Sequence, residues 1–207
     1  MKKLVLSSVI SALFISAFAF QGVIEQVYTD AKTMEQKSFT WTIDGEKIRL
    51  DIQSGEELMT IIPDFTGLTL MMFGNKADNK GTYWYSNTPI SQINVTVPKL
   101  RVLEKAESTF KDSPAKELKL MSSNGLVVVQ FVETIDVNMK NMNTFFAESV
   151  EFSGISLANE SGFPVSSMLL NENDAIYTLT TKSIIDKSVN ASAFQVPSNY
   201  KLFTGIK

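Results

Sequence analysis

From residue 21 onward, apolar and polar positions alternate with a period of two over one short run after another, which is the pattern of half-buried β-strands. The clearest run is "FTWTIDGEKIRLDI" (39–52). Glycine accepts a positive φ without a Cβ clash, so Asp44-Gly45 predicts a two-residue hairpin turn. That turn sets Ile43 against Glu46, Trp41 against Ile48 and Phe39 against Leu50. One face then carries Phe39, Trp41, Ile43, Ile48 and Leu50, and the other carries Thr40, Thr42, Lys47, Arg49 and Asp51. A one-residue slip would invert both faces, so burial and turn chemistry support each other.

Further strands are predicted over 21–30, 57–62, 68–73, 82–86, 126–135, 163–171 and 175–185, with a last β segment over 192–203. The first has Val23, Glu25 and Val27 on one face and Ile24 and Tyr28 on the other. The run "LTLMMF" (68–73) is apolar on both faces and reads as a strand covered on both sides. Two segments change period. Leu100, Leu103, Ala106 and Phe110 recur at helical spacing and predict a helix that Pro114 ends. Met139, Met142, Phe145 or Phe146, and Ser149-Val150 predict an amphipathic helix over about 140–151. "ISQINVTV" fits either a strand or a short helical piece. No repeat or Pro/Gly-rich linker divides the chain. The predicted organisation is a leader over 1–19 and one β-rich domain over 20–207.

The leader is read from "MKKLVLSSVISALFISAFAF": a basic start, an apolar run, and an A-x-A pattern at Ala17 and Ala19. This is a secretory signal peptide with cleavage expected after Ala19, and it predicts a periplasmic or secreted protein. Without Lys2 and Lys3, 17 basic residues face 22 acidic ones, a net charge of about −5. With no base-rich run, nucleic acid is not an expected partner. Membrane association is expected to be peripheral at most.

Cysteine and histidine are both absent. The fold must therefore rely on its core rather than on disulfides. Ser–His and Cys–His catalysis and His-ligated metal sites are excluded. "NKADNKG" (75–81) offers oxygen ligands but lacks a calcium-loop pattern and reads as a turn. Glu56, Glu57, Glu133 and Asp136 read as solvated charges at strand ends rather than as a catalytic carboxylate pair. No catalytic residue, metal or cofactor is expected. Three Asn-x-Ser/Thr sequons begin at Asn94, Asn159 and Asn190, a pattern short enough to arise by chance.

Methionines and aromatics cluster on the predicted elements: Met59, Met71, Met72, Met139, Met142 and Met168, beside Phe39, Trp41, Tyr83, Tyr85, Phe145 and Phe146. Such residues fill a core or line an apolar cavity.

The segments "FTWTIDGEKIRLDI" (39–52) and "TIIPDFTGLTLMMF" (60–73) resemble the opening hairpins of an uncharacterised family of exported bacterial domains. "GFPVSSMLL" (162–170) and "TLTTKSIIDKSVNASAFQVPSNYKLF" (178–203), with its Phe-x-x-Pro-x-x-Tyr ending, resemble that family's close. The likeness covers 23–74 and 150–203. The family is similar to the LolA/LolB-type periplasmic lipoprotein carriers. The resemblance implies a mainly β (α+β) fold: a curved antiparallel sheet or half-open β-barrel with one or two covering helices. It also implies an apolar ligand (a lipid, an acyl chain or a lipoprotein) held between sheet and helical lid, and with no catalytic residue expected the protein is read as non-enzymatic. The expected cavity residues are Phe39, Trp41, Ile48, Leu50, Leu70 and Met72, with Phe145 and Phe146 from the lid. A carrier would place a basic residue inside the cavity, whereas the hairpin puts Arg49 on the polar face. The alternative is an envelope structural or adaptor module with a filled core and an envelope protein as partner.

Overall fold

The structure is a computed structural model that describes residues 20–64, 69–85, 99–135, 137, 142, 146, 149–172 and 174–204. The expected signal peptide, "ISQINVTV" and Phe145 lie outside the described residues.

Twelve strands form one mainly antiparallel, open, curved sheet. In chain order they are β1 (Gln21–Asp30), β2 (Gln36–Asp44), β3 (Lys47–Ser54), β4 (Glu57–Ile62), β5 (Leu70–Asn75) and β6 (Lys80–Tyr85). There follow β7 (Arg101–Phe110), β8 (Ser113–Ser122), β9 (Gly125–Val132), β10 (Phe163–Asn171), β11 (Asp174–Asp186) and β12 (Tyr200–Leu202). The spatial order is β12-β6-β5-β4-β3-β2-β1-β11-β10-β9-β8-β7. Two meanders, β1 to β6 and β7 to β11, thus join where β11 pairs with β1. Helix α1 (Val150–Leu157) belongs to the connection between β9 and β10 and packs against β7 to β10.

The opening hairpin turns at Gly45-Glu46, because Asp44 pairs with Lys47. This differs by two residues from the predicted register: Trp41 faces Leu50 and Phe39 faces Ile52. A shift of two preserves the faces, so Phe39, Trp41, Ile43, Ile48 and Leu50 still point one way. Gly45 has φ +61° and Gly55, in the next hairpin, φ +58°. Both sit at the first central position of their turns, where II′ geometry requires a positive φ.

The irregularities of the sheet gather in its β7 to β11 half and at its junction with β1. Register shifts interrupt β1/β11, β10/β11, β9/β10 and β7/β8, and none interrupts the pairs from β2 to β6. Each bulge bends its strand and adds twist. The inner face so formed holds one core, from Ile24, Trp41, Ile43, Ile48 and Leu50 across to Leu118, Leu120, Val127, Val129 and Phe131. Phe152 and Ile155 of α1 and Met142 cover it.

The helix predicted around Leu100 to Phe110 is corrected to strand β7 and its hairpin with β8. β7 is a sheet edge, where side chains on both faces meet solvent and the period-two signal fades. Its Glu104 pairs with Lys119 (2.7 Å) and its Lys105 with Glu160, and a charged edge guards against pairing with other chains. Pro114 opens β8 opposite Thr109, before β8 begins to pair with β9, so its missing N–H breaks no β8/β9 bond.

Most of the helix predicted over 140–151 falls outside the described residues. The helix that is described starts at Val150 and buries Glu151, Phe152, Ser153, Gly154 and Ile155 in succession. Burial all round leaves no amphipathic period to read. Gly154 is weak helix former, costing about 1 kcal/mol against alanine, yet a Cβ there would come within 2.1 Å of Leu120 Cδ1. Close approach to β8 therefore explains the glycine. Ser153 is buried with its hydroxyl unpartnered. Ser153→Ala is expected to raise stability by about 1 kcal/mol, since it removes an unsatisfied polar group and improves helix propensity. Urea unfolding checks this.

The tail does not return to β over 192–203 as predicted. After β11 it crosses the outer face as a strap, with a 3-10 turn at Ala191–Phe194, and only β12 is strand, parallel to β6. Arg49 Nη1 donates to Ala193 O (2.8 Å), which fixes the strap over β3. Tyr200 lies over the paired Gly74 and Gly81, where a Cβ on Gly74 would fall 2.1 Å from its Oη. From β11 to β6 is six strand spacings, roughly 28 Å.

Candidate functional site

Cross-strand partners share a face, so the row Trp41–Leu50–Ile61–Met71 and the row Phe39–Ile52–Met59–Phe73 both lie on the inner face. Over β1, β2, β3 and β11 this face opens into a pocket of about 300 Å³, at the small end of ligand pockets. Tyr28, Phe39, Trp41, Leu50, Ile52, Tyr177 and Leu179 form its floor and walls. Phe146, Ser149, Glu151 and Phe152 form its cover, and Gln26 stands at its base.

Four expected cavity residues meet here: Phe39, Trp41, Leu50 and Phe146. Ile48 is in the adjoining core. Leu70 and Met72 are on the opposite face, a correction to the expected lining: Met72 pairs with Thr60, and Thr60 with Asp51, on the face the strap crosses. The inward residues of β5 are instead Met71 and Phe73. A strand apolar on both faces carries no record of which face turns inward.

Trp41 is the hinge between core and pocket. Its ring meets Phe146 (5.4 Å), Phe152 (5.7 Å) and Phe163 (5.4 Å) edge-on, an arrangement the ring quadrupoles favour. Its Nε1–H donates to Gln26 Oε1 (2.8 Å). Gln26, only 2% exposed, in turn donates to Pro164 O (2.8 Å) and Thr181 Oγ1 (3.1 Å). The amide is thus satisfied at both ends and fixes the indole plane.

At the other wall, the Glu151 carboxylate accepts three hydroxyl hydrogen bonds. Tyr177 (2.5 Å) and Ser167 (2.8 Å) reach Oε1, and Ser149 (2.9 Å) reaches Oε2. These tie the first turn of α1 to β10 and β11. Burial, then the charge of Glu151, pushes the Tyr177 phenol far above its ordinary range, so it serves as a donor and not as a base. Tyr28 stacks on Tyr177 (5.4 Å) and meets Phe39 edge-on (6.4 Å). Arg49 is on the outer face, bound to Asp51 (2.9 Å).

Beyond Ile52 the inner face continues into an open groove of about 690 Å³ along Met59, Phe73 and Thr82. From Phe39 to Phe73 the row spans three strand spacings, roughly 14 Å.

Gln26, Tyr28, Glu151, Phe152 and Tyr177 were not among the expected site residues. Gln26 and Tyr28 could have been found from Ile24, whose face they share at every second residue. Glu151 could not, because it depends on a contact with Tyr177 that is 26 residues away.

Among the described residues no group of acidic side chains is placed to hold a metal ion, and no helix is long and apolar enough to cross a membrane. No protein-family model and no curated protein matches the chain. Among solved structures it is similar to PNGF-II, with a TM-score of 0.51 and 8% identity over 89% of this chain. The chain spans 31% of that chain's length. At this identity the likeness is one of fold: a mainly β chain built on a curved sheet.

Proposed function

We propose that this is a non-enzymatic exported protein that holds an apolar ligand, a lipid or acyl chain, in the manner of the LolA/LolB-type carriers. The ligand sits in the pocket between the inner face and its cover at Phe146 and Phe152. The observation that carries this reading is the aromatic, half-open pocket that continues along Ile52, Met59 and Phe73. Eight to ten buried methylenes at about 0.8 kcal/mol each give roughly 6–8 kcal/mol before the cost of association. The leader at 1–19 supports a periplasmic or secreted location. The absence of His and Cys and the tightly held Tyr177 proton support a binding role over a catalytic one. Entry of the ligand requires the cover to move.

Native mass spectrometry of the protein purified from a cell envelope tests this. The expected result is a bound mass that organic extraction removes. A bare polypeptide mass, with no uptake of an uncharged fluorescent lipid, contradicts it. The second reading, a structural or adaptor module, draws on how tightly Trp41 is enclosed. The charged β7 edge, however, is poorly suited to accepting a partner strand.

A further inference from the structure

We infer that the pocket selects a ligand bearing an ammonium group on its apolar chain, and that the Glu151 carboxylate receives that group. The inference rests on the apolar-ligand reading and adds the head group.

Glu151 lines the pocket and is 9% exposed. Its three partners are all neutral hydroxyls, and none of the ion pairs among the described residues includes it. A carboxylate has room for about four hydrogen bonds. Oε1 takes two and Oε2 one, so Oε2 is the oxygen left open to an incoming positive charge, with or without an N–H. A negative charge held by neutral donors, away from bulk water, attracts an entering cation more strongly than a solvated carboxylate would. Around it stand the electron-rich rings of Tyr28, Phe39, Trp41 and Tyr177, which favour an organic cation.

The surroundings have the same sign. The charges of Asp30, Glu35 and Glu151 all push the Tyr28 phenol upward, after its burial. Lys37 stands opposite Tyr28 on β2 and lines the adjoining groove, half-buried, with its ammonium paired with Glu35 (3.8 Å). Arg49 and Arg101 face away from the pocket: Arg49 is bound to Asp51, and Arg101 is exposed on β7. A ligand carboxylate would meet Glu151 as a like charge, with no cation among the lining residues to offset it.

Calorimetric titration with three ten-carbon ligands tests this: decyltrimethylammonium, decanol and decanoate. The ammonium ligand is expected to bind about tenfold more tightly than decanol, with decanoate weakest. Glu151→Gln is expected to abolish the preference, so that within this variant the ammonium ligand and decanol bind alike. Because Glu151 also anchors α1, Tyr177→Phe is the companion variant. It keeps the charge, removes one hydroxyl, and should retain the ammonium preference. Decanoate binding as tightly as the ammonium ligand, or a preference that survives Glu151→Gln, overturns the inference. Equal binding of all three ligands overturns it and leaves the apolar pocket standing. Binding of none overturns both. A decanoyl lysophosphatidylcholine arm identifies the source. Tighter binding than decyltrimethylammonium assigns the group to a zwitterionic lipid head, and weaker binding assigns it to a free amphiphilic amine.

Discussion

Trp41→Ala is expected to lower stability by about 3–5 kcal/mol, the range for removing a buried aromatic side chain. Trp41 is 4% exposed and holds three edge-on ring contacts, two of them to the cover residues Phe146 and Phe152. Alanine removes the post on which the cover rests and deprives Gln26 Oε1 of its donor. Urea unfolding should show a lower midpoint with an unchanged slope if the rest of the fold survives. Trp41→Phe retains one aromatic ring but loses the N–H and the second ring of the indole, so its cost should be about 1–3 kcal/mol. An alanine variant within about 1 kcal/mol of the parent would mean that the aromatic cluster is not packed as described.

Gln26→Leu is expected to cost roughly 2–6 kcal/mol, although it places an apolar residue in a buried position. The change strands two buried groups, the Trp41 indole N–H and the Pro164 carbonyl, at about 1–3 kcal/mol each. Thr181 keeps its own donation to Val165 O (2.6 Å) and adds little. Combining Gln26→Leu with Trp41→Phe provides a sharper check. Once one partner is gone, removal of the other costs less, and the pair should couple by about 1–2 kcal/mol. Additive costs would show that the indole–amide bond contributes nothing.

The parts of the fold legible in the sequence are those where local pattern and burial coincide. β1, β4 and β10 have the predicted bounds, because alternation and turn residues define them without distant partners. The opening hairpin kept its faces even though its turn sits one residue later than predicted. Such a turn error moves register by two, which burial cannot detect. Edge position hid β7: its Leu103 lies in a bulge and its charges suit either a helix surface or an exposed strand. Helix α1 was hidden by burial on every side, with Ser153 and Gly154 resembling a turn.

The site was less legible than the fold for a related reason. Phe39, Trp41 and Leu50 follow from one hairpin. Leu70 and Met72 were assigned to the wrong face because β5 is apolar on both faces, and the strap that crosses the outer face begins more than a hundred residues later in the chain. Glu151, Ser167 and Tyr177 come from three separate elements, and polar residues that meet only in the folded chain leave no local pattern.

The central claim is that the inner-face pocket takes up an apolar chain. Trp41 itself can report on this in a Trp84→Phe protein, where it is the sole tryptophan. Titration with decanol should give a saturable, one-to-one change in Trp41 fluorescence, with a dissociation constant between micromolar and millimolar. Trp41→Phe protein should bind the same ligand by calorimetry without the optical signal. A drift that never saturates up to the solubility limit, with no heat of binding in either protein, would contradict the account.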